Sequence, residues 1–134
     1  MTNVVDIEGI GPDRAAKLKA QGVTTTDDLL KLCGTAKGRK DMEAASGLSS
    51  SLILEWVNRA DLFRLKGVGT QYSDLLEAAG VDTVAELARR RADNLTAKMA
   101  EVNEQKKLVH ALPTEKAVAE WIEEAKTLPR MVEY

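Results

Sequence analysis

The sequence predicts an all-α fold, a compact helical domain made of two related helical units. Three observations support this prediction: apolar residues recur at intervals of three and four, glycines and capping residues bound those segments, and no stretch alternates apolar with polar residues as a strand does. A chain of 134 residues, 44% of them hydrophobic, can bury one ordinary core. We therefore expect residues 1–134 to form a single domain.

One turn occurs twice, and its second copy lies 58 residues further along the chain. Both copies have the pattern apolar-x-Gly-apolar-Gly, as Ile7-Glu8-Gly9-Ile10-Gly11 and Leu65-Lys66-Gly67-Val68-Gly69. The match continues over about 24 residues, and similarity at a fixed offset is the signature of a duplication. The sequence therefore predicts two pseudo-repeats related by internal duplication, over about residues 1–62 and 63–134.

Local signals predict a short helix after each turn. Pro12 suits the first position of a helix, which predicts a helix over about residues 12–21 that ends at a glycine stop. Before the first turn only residues 2–7 are available, so we expect little more than one helical turn there. The next helix of each unit begins with the pattern of a capping box, formed by Thr25 with Asp28 and by Thr83 with Glu86.

A longer amphipathic helix is predicted towards the end of each unit. One is capped by the serines at positions 49–51, and the other begins at Thr114 and ends near Pro129. Each carries a tryptophan, Trp56 or Trp121, inside its apolar stripe. We expect both indoles in the core rather than on a surface that stacks nucleic-acid bases.

The two glycine turns suit two roles, namely joining helices and binding an anion. Their glycines permit backbone angles that other residues avoid, and the apolar residue between them, Ile10 or Val68, can fill the gap between two helices. Each turn leads into a helix N-terminus, where free amide groups and the helix dipole favour an anion such as a phosphate oxygen. Contacts of that kind ignore base sequence. Many such turns only join helices, so the sequence leaves both interpretations open.

The first turn and the helix after it resemble the helix-hairpin-helix superfamily of DNA repair and replication proteins. The residues that carry this resemblance are Ile7-Glu8-Gly9-Ile10-Gly11-Pro12-Asp13-Arg14-Ala15-Ala16-Lys17-Leu18. The resemblance implies sequence-independent binding of phosphates by the backbone of Gly9, Ile10 and Gly11, with Arg14 and Lys17 as flanking charges. It implies the same of Gly67, Val68 and Gly69 in the second copy. The full-length arrangement is also similar to a family of small bacterial proteins of unknown function.

The charges of the chain limit any binding of nucleic acid to local contacts. The net charge is -2, so the molecule as a whole does not attract a polyanion over a long distance. The second helix start lacks basic residues, and the nearest charges that could contribute there are Arg64 and Lys66. We interpret a basic run elsewhere as a solvated surface rather than a binding patch, namely Lys31, Lys37, Arg39 and Lys40.

The sequence offers two hypotheses for function. The first is a non-enzymatic protein that binds duplex or single-stranded nucleic acid weakly and without sequence preference; the second is a protein-interaction or scaffolding module whose turns are purely structural. One cysteine and one histidine do not make a soft-ligand metal site or an evident nucleophile, so we expect no catalytic residue, metal or cofactor. No segment has the length of a membrane span or the character of a secretory signal, so we expect a cytoplasmic protein without a membrane partner.

Overall fold

The computed structural model describes residues 2–7 and 9–134, and these residues form an all-helical fold as predicted. Glu8 of the first turn lies outside the described residues, as does Met1. The described part of the chain holds a short 3-10 helix, Val4–Asp6, and eight α-helices. In chain order the α-helices are α1 (Pro12–Ala20), α2 (Thr26–Cys33), α3 (Ala36–Ser46), α4 (Ser50–Leu62), α5 (Thr70–Ala78), α6 (Val84–Leu87), α7 (Ala92–Lys106) and α8 (Glu115–Thr127).

Side chains cap the helices where the sequence predicts. The Thr25 hydroxyl accepts from the Asp28 N–H at 3.2 Å, and the Asp28 carboxylate accepts from the N–H groups of Thr24 and Thr25, both at 3.1 Å. These backbone hydrogen bonds lower the pKa of the Asp28 carboxyl. The Thr114 hydroxyl likewise accepts from the N–H of Ala117 and begins α8. The predicted helix over residues 12–21 is confirmed as α1, and the helix before the first turn is indeed a single short turn.

The chain divides into two compact units. Unit 1 comprises Met1–Phe63 with Arg130–Tyr134, and unit 2 comprises Arg64–Pro129. The first boundary falls close to the predicted one near residue 62, but the last five residues belong to the first unit. The expectation that both units form one domain stays a prediction.

Unit 1 is built on a three-helix arrangement in which α2 packs against α3 and α4, and α3 against α4. Helix α1 packs beside the short helix at Val4–Asp6. The core lies between these elements and includes Ile10, Leu18, Leu29, Ile53 and Trp56, each at most 3% exposed. In unit 2, α7 contacts α5 and α8, and α6 contacts α8. The buried residues there include Val68, Leu76, Leu87, Leu95 and Trp121. The prediction that both tryptophans are core residues is confirmed.

One arginine of the basic run is buried in unit 1. Arg39 is 5% exposed, so its interpretation as part of a solvated surface is wrong. Its guanidinium donates to the carbonyls of Cys33 at 3.1 Å, Gly34 at 2.9 Å and Glu133 at 2.6 Å. The N–H of Glu133 donates to the Gly34 carbonyl at 2.8 Å. These bonds hold the C-terminal segment 130–134 against the turn between α2 and α3, because a planar fork of donors satisfies three carbonyls at once.

Within the described residues, every helix is too short or too polar to cross a membrane.

Candidate functional site at the two glycine turns

The backbone of the two glycine turns has the same geometry in each unit. Gly9 has φ +91° and Gly67 has φ +84°, a left-handed conformation that favours glycine. The N–H of Ile10 donates to the Ile7 carbonyl at 3.1 Å, and the N–H of Val68 donates to the Leu65 carbonyl at 3.3 Å. Ile10 is 3% exposed and Val68 is 5% exposed. Both apolar residues therefore fill the interior behind their turns, as the sequence predicts.

The helices that follow these turns begin without a side-chain cap. Gly11 is the N-cap of α1 and Gly69 is the N-cap of α5, so neither helix start has a hydrogen bond from an N-cap side chain. Among the described helices, α7 also begins without such a bond, whereas Thr or Ser hydroxyls cap α2, α3, α4, α6 and α8. The N-cap residues of α1 and α5 therefore occupy none of the first amide groups, and a helix start of this kind favours an anion.

The fold does not explain why Gly11 and Gly69 are glycines. Their φ angles are -82° and -103°, which any residue adopts. A Cβ atom added at either position would meet nothing within 4 Å. A glycine that neither conformation nor internal packing requires leaves room for a partner to approach the backbone closely.

A tryptophan lies beneath each turn, and a second side chain packs against its ring. A Cβ at Gly9 would lie 3.6 Å from the indole nitrogen of Trp56, and the Arg14 guanidinium lies 5.7 Å from the centre of the Trp56 ring. The Arg14 Nη1 also donates to the Gly9 carbonyl at 2.8 Å. Arg14 therefore braces the first turn while its side chain stays exposed.

In unit 2 the equivalent partner of the tryptophan is an aromatic ring. A Cβ at Gly67 would lie 3.8 Å from the indole nitrogen of Trp121. The ring of Tyr72, which aligns with Arg14 at the offset of 58, packs on Trp121 with centroids 5.3 Å apart and planes inclined by 52°. Neither pair was predicted from the sequence, although the matching positions of the two tryptophans and the two turns are a signal for them.

The charges differ sharply between the two turns. Beside the first turn, Arg14 and Lys17 are exposed on α1. In unit 2, the Nη2 of Arg64 donates to the Pro129 carbonyl at 2.7 Å. The backbone N–H of Lys66 donates to the Oε1 of Glu124 at 3.0 Å, so a carboxylate already lies at the second turn. Two exposed cations and one exposed carboxylate, that of Asp13, thus follow the first turn. At the second turn the Glu124 carboxylate accepts from the backbone where a phosphate would bind.

A cleft of about 580 Å³ opens beside the second turn. We name it the acidic cleft, and its lining includes Lys66, Tyr72, Leu112, Glu120, Trp121 and Glu124. A volume of this size is typical of sites that bind small ligands or side chains. Its chemistry is aromatic and acidic, which does not suit an anion.

The single cysteine lies in the core of unit 1. Cys33 is fully buried, and burial raises the pKa of its thiol to about 11, with the Arg39 guanidinium offsetting part of the rise. Within residues 2–7 and 9–134, no three histidine, cysteine or carboxylate side chains are grouped as metal ligands.

The model of one protein family matches residues 8–128, which contain the second turn, most of the first and all eight α-helices. The chain belongs to this family, described as the domain of unknown function DUF4332. No curated protein and no solved structure matches the chain. The glycine turns, their tryptophans and the acidic cleft are thus features of a DUF4332 chain.

Proposed function

We propose that this DUF4332 protein is a non-enzymatic helix-hairpin-helix protein that binds nucleic-acid phosphates without sequence preference through its first turn. The observation that supports this most strongly is Gly11, a glycine with an ordinary φ of -82° and open space around its absent side chain. It is the N-cap of α1 and has no side chain that could bond the first amide groups of that helix. A phosphate oxygen can approach such a backbone directly, and the helix dipole stabilises its charge.

The flanking side chains support the same proposal. Lys17 is exposed one turn into α1 and adds a positive charge beside the glycines. Arg14 fixes the Gly9 carbonyl and keeps its guanidinium at the surface. The backbone N–H groups of Gly9 and Gly11 supply the donors in this proposal, because the Ile10 N–H already donates to the Ile7 carbonyl, and the two cations supply local attraction. A protein with a net charge of -2 needs such a local site because its overall field does not help.

We propose, as the finer description of the fold, that the two units arose by internal duplication. Several aligned positions of the repeat match in burial, in hydrogen bonds or in backbone angle. Leu18 and Leu76 are both fully buried, and each accepts from a residue five positions later, Val23 at 3.0 Å or Val81 at 2.9 Å. This correspondence supports one ancestral helical hairpin, whose second copy kept the turn but lost the basic residues after it.

A titration of labelled duplex DNA tests the proposed function. We expect the fluorescence anisotropy of a duplex of about 20 base pairs to rise with micromolar protein at low salt, equally for two unrelated sequences. Because Lys17 contributes one phosphate contact, Lys17→Ala is expected to weaken binding about threefold and to reduce the salt slope by about one. The matched control is Lys40→Ala, an exposed lysine on α3, which is expected to leave both unchanged. No binding at tens of micromolar protein contradicts the proposal.

The alternative function is a protein-interaction module in which both turns only join helices. The acidic cleft favours it, since Leu112 remains 44% exposed at the rim. Nuclease treatment separates the two functions, because protein partners that persist after digestion support the alternative and partners that depend on nucleic acid contradict it.

A further inference from the structure

The acidic cleft of unit 2 lies between α8, the second turn and the segment 111–114. Helix α8 forms one side, through Glu120, Trp121 and Glu124, and the second turn closes one end with Lys66. On the other side, the Tyr72 hydroxyl donates to the Ala111 carbonyl at 3.3 Å. That bond holds the segment 111–114 beside α5, and this segment lines the cleft through Leu112, Pro113 and Thr114.

The walls of the acidic cleft combine apolar and aromatic surface with unpaired negative charge. Leu112 is 44% exposed and Tyr72 is half-buried against Trp121. Glu120 is exposed, and the ion pairs found among the described residues do not include it. Glu124 uses Oε1 to accept from the Lys66 N–H. The lining therefore carries two carboxylates against one ammonium group.

This combination selects the chemistry of an occupant. A phosphate or carboxylate would face Glu120 and Glu124, and like charges at close range disfavour binding. A neutral apolar group would leave Glu120 beside it without a partner. A cation on an alkyl stem satisfies both features, since the stem packs on apolar and aromatic surface while the charged head reaches the carboxylates.

We infer that the acidic cleft binds the lysine or arginine side chains of a basic peptide segment on a partner protein. The charge complementarity of Glu120 and Glu124 selects the cation. The exposed rim at Leu112 gives the flanking residues of the peptide a surface to contact, which favours a peptide over a free amine. This inference names the partner chemistry for the protein-interaction alternative and is independent of phosphate binding at the first turn.

The test uses the full, isotope-labelled chain and an acetylated hexalysine amide as the probe, followed by NMR. We expect saturable shifts of the Trp121 indole N–H and of the Lys66 and Glu124 amides, with residues of the first turn unaffected. Glu120→Gln removes one charge from an exposed side chain and is expected to weaken the probe about fivefold. Glu104→Gln, an exposed glutamate on α7 outside the cleft, is the matched control and is expected to change affinity less than twofold.

Several outcomes overturn the inference. Equal weakening by both glutamate variants would mean that hexalysine binds the acidic surface in general. Tighter binding of n-butylammonium than of hexalysine would assign the cleft to a small amine, and concentration-dependent shifts of the same residues without probe would assign it to a second copy of the chain. Tyr72→Leu is expected to weaken the probe while the spectrum of unit 1 stays unchanged. The duplex-DNA titration measures binding at the first turn, whereas the hexalysine titration measures binding at the acidic cleft. A negative result in one experiment is therefore distinguishable from a negative result in the other.

Discussion

At the scale of single residues, glycines of the same motif act in different ways. Gly9 has φ +91°, and its Cβ would lie at ordinary contact distance, 3.6 Å, from Trp56. The need for glycine there is thus conformational. Gly11 has φ -82° and no neighbour that a side chain would meet. The absence of a side chain at Gly11 therefore affects how closely another molecule can approach the backbone, and not how the protein folds.

This difference predicts opposite effects of two substitutions on stability. Gly9→Ala forces a side chain into the left-handed region and is expected to lower the free energy of unfolding by about 1–2 kcal/mol. Gly11→Ser introduces a preferred N-cap at the start of α1 and is expected to leave stability unchanged or raise it by a few tenths of a kcal/mol. Urea denaturation of both variants measures the difference. Equal destabilisation by both would contradict the separation of roles.

Individual contacts were the least predictable features. The sequence identified the glycines, Ile10 and Val68, because a turn motif determines its own backbone. It did not identify the packing of Arg14 on Trp56 or the burial of Arg39. Both contacts join residues that are far apart in sequence. Arg39, for example, donates to the Glu133 carbonyl, and no local sequence pattern predicts such a distant partner.

At the scale of elements, caps and glycine stops predicted most helix boundaries, including α1, α4 and α8. Helices α3 and α7 were not predicted. Their polar stretches offer a weak apolar stripe, and each is recognisable only from the surfaces against which it packs. The return of the C-terminal segment 130–134 to unit 1 was also unpredictable, because the buried Arg39 guanidinium holds it there.

The contact between the C-terminal segment and the turn between α2 and α3 is predicted to depend on Arg39. Arg39→Ala leaves the carbonyls of Cys33, Gly34 and Glu133 without this donor and is expected to destabilise the protein by about 3 kcal/mol. Amide hydrogen exchange is expected to show loss of protection at Glu133, whose N–H bonds Gly34. Arg39→Lys should recover only part of the loss because a single ammonium group cannot reach all three oxygens in one plane. Full protection at Glu133 in Arg39→Ala would refute this role.

At the scale of the whole molecule, the repeat predicted two units and the structure divides the chain into two. The sequence also indicated that the turns are unequal, since basic residues follow only the first. It did not reveal that Glu124 bonds the Lys66 amide or that a cleft lies beside that turn, because Glu124 is 58 residues further along the chain than Lys66. We propose that the repeated turn binds an anion in unit 1 and borders a cation site in unit 2.

A paired comparison of Gly11→Asp with Gly69→Asp tests whether the first turn, and not the second, binds phosphate. Both substitutions place a favoured N-cap at a helix start with an ordinary φ and open space, so both proteins are expected to fold with unchanged or higher stability. In the duplex-DNA anisotropy titration, Gly11→Asp is expected to weaken binding at least tenfold, because a carboxylate occupies the phosphate position, and Gly69→Asp is expected to change it less than twofold. Binding by Gly11→Asp at the wild-type affinity, or equal loss in both variants, would contradict the assignment of phosphate binding to the first turn.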